Sequence, residues 1–411
     1  MSSKHPHSSD GLERAHDEFD EHNVRLPDDT IPGSAPLPHD EDEHAPHADI
    51  ATYSQWQLIR KRFSRHFLAV ISLFILAVLY LTAIFADFIA PHSTGWGDVE
   101  NIYAPPQPPR FSWEDGLYIE KLQRHRDPVS FKQYYTRTGE KVPLGFFAKG
   151  EPYKLWGLIP MERHLLGPKE YNADEDGKGT SFYFLGADQY GRDIFSRLIL
   201  GSRISLSIGL VSIFVSFILG ASIGGFSGYV GGRTDNFIQR LIEVINSFPH
   251  LPLWLALAAV VPGEWSPLRV YFAITVLMSI LAWTGLARVV RGKILSLREE
   301  DYAVAARLLG ASHPRVLFRH LLPGFTSHII VTLSLGVPGM ILAETTLSFL
   351  GLGLRPPVVS WGVMLQETMN MDVVANYPWL LLPVIVLIMT VMCFNFVGDG
   401  MRDAADPYSG R

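Results

Sequence analysis

Apolar positions along this chain fall into long unbroken runs rather than short alternating ones. The first is FLAVISLFILAVLYLTAIF, Phe67 to Phe85, continuing to about Ala90. About 20 such residues cover a hydrocarbon core of about 30 Å. Five further runs follow: Ile204–Phe226, Phe237–Val261, Val270–Val290, His328–Leu350 and Trp379–Val397. Pro249 and Pro252 interrupt the second of these five, and Pro338 the fourth. Proline in a membrane helix makes a kink whose freed carbonyls find other partners. The pattern predicts an all-α polytopic membrane protein with six transmembrane helices.

Polar positions set the organisation around those runs. Residues 1–55 carry seven histidines and an acidic run from Asp40 to Glu43, with no apolar period. Such a segment cannot bury enough surface to offset its ordering entropy, so it reads as a disordered tail. None of its histidine pairs repeats at a ligand spacing, and no metal site is expected. Residues 66–90 form the first transmembrane helix, 91–203 an external insert, 204–398 a five-helix core containing a loop at 291–324, and 399–411 a tail.

Charge gives the orientation. Arg60, Lys61, Arg62 and Arg65 precede the first run, and Arg291, Lys293, Arg298, Arg307, Arg315 and Arg319 follow Val290. Cytoplasmic loops collect Lys and Arg, so both segments and both tails are expected in the cytoplasm. The first run begins too far from Met1, behind an acidic tail, for a cleaved signal peptide; it reads as an anchor. Only 18% of residues are charged, below the roughly 25% of soluble domains. The net charge of −6 owes much to the tail and argues neither for nor against a polyanion partner. Cys393 alone cannot form a disulfide within the chain.

The insert is rich in Pro and aromatic residues, as in YAPPQPPRFSWEDGLYIEKL. Patches of alternation such as GLYIEKL and EPYKLWGLI predict short strands mixed with helices.

The loop after Val290 holds the most informative stretch, DYAVAARLLGASHPRVLFRHLLPG, residues 301–324. Asp301 complements the positive end of a helix, and Gly310 suits its C′ position. Tyr302, Ala305, Ala306 and Leu309 fall on one face. Two alanines make that face shallow, so a partner surface can approach the backbone closely. Ser312 is placed to cap a second helix that Pro323 ends. The plain alternative is an amphipathic hairpin lying on lipid headgroups, which usually brings larger anchors.

This stretch resembles the "EAA" loop of ATP-binding-cassette importer permeases, whose pattern is Glu-Ala-Ala, three residues, Gly, nine residues, Ile, one residue, Leu-Pro. Ala305-Ala306, Gly310 and Leu322-Pro323 keep the spacing, while Val304 replaces the Glu and His320 the Ile. The Asp301-Tyr302 and Arg319-His320 pairs are similar to the dipeptide, oligopeptide and nickel branch. FLGADQYGRDIFSRLILGSRISL, LSFLGLGLRPPVVSWGVML and NFVGDGMRDAADP resemble three further signatures of that branch. The resemblance covers roughly residues 184–407 and the first run. It implies that Asp301, Tyr302, Ala305, Ala306, Leu309, Gly310, Arg319, His320 and Pro323 form a coupling hairpin seated on a cytoplasmic ATPase. It also implies a second related permease, two ATPase subunits that bind ATP and Mg, an extracytoplasmic solute-binding protein, and a bacterial inner membrane. No cofactor is expected in this chain and no nucleic-acid partner. Peptides lead as solutes, with oligosaccharides and nickel chelates as alternatives, and the insert is expected to widen the surface that receives the binding protein.

Two other clusters carry charge. Asp188, Arg192, Asp193 and Arg197 alternate in sign at about helical spacing, with Gly191 among them; they read as an external elbow held by ion pairs rather than a solute contact. Glu344 lies deep in an apolar run, where a charge must face protein or water. With Thr345 and Ser348 it either lines the pathway or bonds a neighbouring helix. Glu243 reads as snorkelling and His250 as a kink residue. Neither a P-loop nor H-E-x-x-H occurs, so any ATP hydrolysis belongs to another polypeptide. An ion-coupled secondary transporter would want internal repeats, and none is evident. A membrane-anchored enzyme or receptor would not need the hairpin.

Overall fold

The computed structural model describes residues 55–129, 133–169 and 182–405. The acidic, histidine-rich tail lies outside the described residues, as do residues 406–411. α1 (Gln55–Phe63) leads into α2 (Phe67–Ile84), where the His66 ring accepts the Ala69 N–H at 3.1 Å as an N-cap. A short helix, α3 (Ala86–Ile89), follows.

The insert forms a four-stranded antiparallel sheet in sequence order: β1 (Arg110–Ser112), β2 (Gly116–Arg126), β3 (Gln133–Leu155) and β4 (Ile159–Pro168). β3 is 23 residues long, far beyond the short strands expected. It reaches that length because its first half pairs with β2 and its second half with β4. Each half is still longer than the short strands expected.

Beyond the insert the chain is helical. α4 (Ile194–Val230), α5 (Gly232–Ser247), α6 (His250–Ala259) and α7 (Pro267–Leu297) come first. α8 (Asp301–Leu308) and α9 (His313–Arg315) form the hairpin, and α10 (Thr326–Phe349) follows. Two short helices, α11 (Trp361–Leu365) and α12 (Met371–Asn376), precede α13 (Leu382–Ala405). Three expected boundaries move. α4 starts ten residues before Ile204 because Asp193 caps it. The last helix runs through Ala405, past the boundary at 398. The Phe237–Val261 run breaks into α5 and α6, bent by 83°. Pro249 lacks an N–H and forces Phe248 into an extended conformation, φ −89° and ψ 138°.

Among the described residues five helices are long and apolar enough to cross a membrane, and the bent α5–α6 pair makes a sixth candidate. Packing decides the number. α4 and α7 run parallel, because Ser212, Gly220 and Gly224 meet Ser279, Leu286 and Ala287 in rising order. Two successive long helices can be parallel only if the chain between them returns across the bilayer. α5 and α6 are that return. His66 at the start of α2 also lies 4.0 Å from Asp403 at the end of α13, so the first and last helices share an end, as six crossings require.

Small residues make the α4–α7 contact possible. A Cβ on Gly220 would lie 2.9 Å from Leu286 Cβ, and one on Gly228 2.8 Å from the Arg291 carbonyl oxygen. At Gly224 it would collide with the Ala287 backbone. Between lipid-soluble surfaces, close packing of small residues is what holds helices together. Ser216 and Ser279 add hydroxyl bonds to the opposing backbone at 3.2 Å each. We expect Gly224→Ala to destabilise the protein by about 1–3 kcal/mol, the usual cost of overpacking. Gly285→Ala, on the same helix as Ala287 but facing open space, should be neutral or slightly stabilising. Thermal unfolding of the two variants in detergent checks the contrast.

Candidate functional site

α8 leaves the end of α7 with Glu300 as N-cap residue and Asp301 in its first turn. It closes with a Schellman motif. The Ala311 N–H donates to the Ala306 carbonyl at 3.1 Å and the Gly310 N–H to the Arg307 carbonyl at 2.9 Å. Gly310 sits at φ +82°, the left-handed conformation that favours glycine. Ala303 is buried against Leu286, Val290, Val316 and Leu321, and it fixes which face of α8 looks inward.

The outward face differs in part from the one expected. Tyr302 and Ala305 are exposed, and Leu308 and Leu309 stand 84% and 88% exposed at the end of the helix. Ala306 instead is half-buried against the protein's own core, one helical turn after Ala303. Helical spacing places it on the shared face, but α8 has only eight residues and its 303/306 edge packs toward the Val316–Leu321 turn. Leu308 was missed for the same reason: its exposure comes from the helix ending, which periodicity does not register.

Pro323 does not end a second helix. α9 passes into a π turn, Val316–Leu321, then a 3-10 turn, Leu322–Phe325, then α10. Pro323 takes an early position of the 3-10 turn, where its missing N–H costs nothing. Ser312 makes no side-chain cap bond. Arg319 and His320 are exposed on the π turn.

The hairpin is braced to the core by residues that spacing did not single out. Arg298 donates to the Gly228 carbonyl at 3.0 Å, and Arg307 to the Arg298 carbonyl at 3.0 Å. Arg291 of α7 makes a two-pronged ion pair with Asp235 of α5, both bonds 2.5 Å, and Ser227 of α4 donates to the same carboxylate. Beside the hairpin a cavity of about 760 Å³ opens between α7, α10 and α13, with Lys293, His328 and Arg402 on its wall.

At the opposite end of the helices the elbow gathers its predicted residues across a turn and the start of α4. Asp188 accepts from the Tyr190 and Arg192 N–H groups at 2.8 and 3.0 Å and from Arg192 Nε at 2.6 Å. Arg197, on the first turns of α4, reaches the same carboxylate at 3.5 Å. Gly191, at φ +67°, lies against the Asp98 backbone with no room for a side chain. Asp193 caps α4, accepting from Ser196 N–H at 2.8 Å and Ser196 Oγ at 2.6 Å. Glu367, which no local pattern marks, pairs its carboxylate with Arg192 at 3.3 Å. That bond ties the elbow to the segment between α11 and α12.

Glu344 is fully buried and bonded by three serines: Ser348 and Ser360 at 2.8 Å, and Ser205 at 3.4 Å. Ser205 Oγ also accepts the Trp361 N–H, and Gly362 packs on Thr345 and Ser348 with no space for a Cβ. Of the two readings left open, the structure favours the bond to neighbouring helices. With 0% exposure, Glu344 offers no surface to a solute in this conformation. Glu243 pairs with Arg240 at 2.7 Å on the exposed side of α5, and His250 meets the Trp254 ring edge-on. Among the described residues no cluster of His, Cys, Asp or Glu is arranged to hold a metal ion.

Burial raises the Asp193 carboxyl from 3.8 to about 6, against the bonds from Ser196 and Phe195. Burial and the neighbouring Asp188 raise Glu367 as well. A carboxyl raised in the folded state binds its proton more tightly there than in the unfolded chain. Its stabilising contribution is therefore full below pH 3.8 and lost as pH rises through about 6. We expect thermal stability to fall over that window, and Asp193→Asn, which keeps an oxygen for the cap, to flatten the slope. An unchanged slope would show that Asp193 does not carry it.

Comparison with known proteins fits this arrangement. Residues 196–408 match the family described as "Binding-protein-dependent transport system inner membrane component". Residues 54–106 match the N-terminal transmembrane domain of oligopeptide transport permease C. The oligopeptide transport system permease protein OppC of Haemophilus influenzae is 41% identical over 228 residues, 55% of this chain and 70% of the relative. The dipeptide transport system permease protein DppC of Lactococcus lactis is 29% identical over 355 residues, 84% of this chain and 89% of the relative. A solved chain of the MetNI methionine ABC transporter is 19% identical with a TM-score of 0.40, covering 52% of this chain and 98% of its own length. The chain is therefore a multi-pass membrane permease and belongs to the family of binding-protein-dependent transport system inner membrane components.

Proposed function

We propose that this chain is one of two permease subunits of an ATP-driven importer for di- or oligopeptides. The solute class rests on relatives named for oligopeptide and dipeptide transport. The partners in this reading are a second related permease, two ATPase subunits that bind ATP and Mg, and an extracytoplasmic solute-binding protein. The chain itself performs no catalysis. Its hairpin and both ends face the cytoplasm, following the Lys and Arg of α1 and of the α7–α10 connection. The insert and the elbow face outward.

The observation that carries the reading is the exposed face of α8. Tyr302, Leu308 and Leu309 present bulky apolar side chains around Ala305, on a hairpin braced directly to α4 and α7. Contiguous exposed apolar side chains of this kind mark an interaction surface. The Schellman turn and the Arg298 bracket hold them rigidly, so displacement of α8 by an ATPase moves the ends of α4 and α7 with it. The family's resemblance to nickel and oligosaccharide importers leaves those solutes as the second choice. No residue described here favours them over peptides.

Ala305 is the position to probe, because Ala306 also packs inward. A cysteine at 305 in a Cys393→Ala background should crosslink to the ATPase subunit of the same transporter. Burying Leu309 is worth about 1.5–3 kcal/mol, so Leu309→Asp should weaken docking by about tenfold or more while the chain still folds. A folded variant that crosslinks to no ATPase encoded beside it would contradict the reading.

A further inference from the structure

β3 and β4 meet at a turn, Leu155-Trp156-Gly157-Leu158-Ile159, whose Trp156, Leu158 and Ile159 side chains stand exposed, Leu158 at 79%. Nothing in the sheet covers them. Two hydrogen bonds fix where the turn points. The Trp156 indole N–H donates at 2.8 Å to the carbonyl of Ile84, the last residue of α2. The His164 ring, five residues along β4 from Ile159, bonds the Ala90 carbonyl at 2.6 Å. Going from the turn up β4, the strand thus passes from Ile84 to Ala90, which is the direction in which the chain leaves the membrane. The turn points back at the bilayer.

Depth follows from helix length. α2 has 18 residues, about 27 Å at about 1.5 Å per residue, slightly short of a hydrocarbon core of about 30 Å. The Ile84 carbonyl therefore lies at the edge of the hydrocarbon, and the indole bonded to it lies at the same level. Phe85 packs on Trp156 and Phe88 on Phe147, ring centroids 5.8 and 5.9 Å apart. The exposed Leu81, Ile84 and Phe85 of the first crossing continue as one apolar surface into the turn.

Backbone strain marks the same place. Trp156 and Phe147 hold φ of +54° and +55°, a left-handed conformation that is unfavourable for a residue with a Cβ. Such conformations persist where the surroundings over-determine them, and here both rings are turned onto the end of the first crossing. Polarity rises away from the turn: Lys154 flanks it, and Lys149 pairs with Glu162 at 3.3 Å farther up the strands. Trp at the boundary, aliphatic side chains below and Lys above is the arrangement of a membrane-interface anchor.

We propose that the β3–β4 turn anchors the insert in the adjacent lipid leaflet, with Trp156, Leu158 and Ile159 in the boundary between acyl chains and headgroups and Lys154 at the phosphates. The insert is then held at a fixed tilt over the membrane by lipid as well as by its bonds to the first crossing. The test places nitroxides at Leu158→Cys and, as a control far up β3, at Thr138→Cys, each with Cys393→Ala. The full-length chain, with the subunits that co-purify, is reconstituted in phosphatidylethanolamine–phosphatidylglycerol vesicles. Collision rates with oxygen, which concentrates in lipid, and with a water-soluble nickel chelate are then compared. The oxygen-to-nickel ratio should be severalfold higher at 158 than at 138. Equal ratios would put the turn in water, and exclusion of both reagents at 158 would mean that a protein covers it; either result overturns the proposal.

Discussion

α4 and α7 touch backbone to backbone, and most of the structure depends on that approach. Gly224 and Gly228 leave no room for a Cβ against Ala287 and Arg291, and a lipid environment supplies no other strong force to press two helices together. At the end of this contact, Asp235 of α5 takes both prongs of Arg291 while Ser227 donates to the same carboxylate. An Arg–carboxylate fork is directional as well as strong, so it locks the rotation of α5 relative to α4 and α7. The hairpin hangs from the same point, since Arg298 bonds the Gly228 carbonyl. A push on α8 therefore arrives at three helices at once.

The other end of the bundle is closed by polar groups that cannot be left unpaired. Glu344 collects donors from α4, α10 and the cap of α11, and Asp188 collects Arg192 and Arg197 while Arg192 reaches Glu367. Removing one partner from such a knot strands the rest without water. The two knots share α4, because Ser205 belongs to one and Arg197 to the other. α4 thus connects the hairpin end, the buried carboxylate and the elbow, and its small-residue face is what lets it do so.

Much of this was legible in the sequence. Apolar runs gave the crossings because hydrocarbon thickness is a fixed length, and Gly310 gave the end of α8 because few residues accept its conformation. Helix starts are less legible: Asp193 reads as one charge among four, although its place before Ile194 is that of a cap. Ala306 reads as outward-facing because eight residues are too few for periodicity to show which edge the core claims. Glu367 and the Asp235–Arg291 fork left no local trace, since each partner lies 56 or more residues from the other. The 23-residue strand was hidden because its two halves answer to different neighbours.

In the proposed function, energy enters through ATP at α8 and leaves as solute movement across the bundle. The most direct measurement is uptake of a radiolabelled peptide into proteoliposomes holding the whole transporter and its binding protein, with ATP supplied at the hairpin face and all ion gradients collapsed. Accumulation that requires ATP, persists without a gradient and disappears in Ala305→Trp is the result expected. Uptake that follows an ion gradient and proceeds without ATP would contradict it.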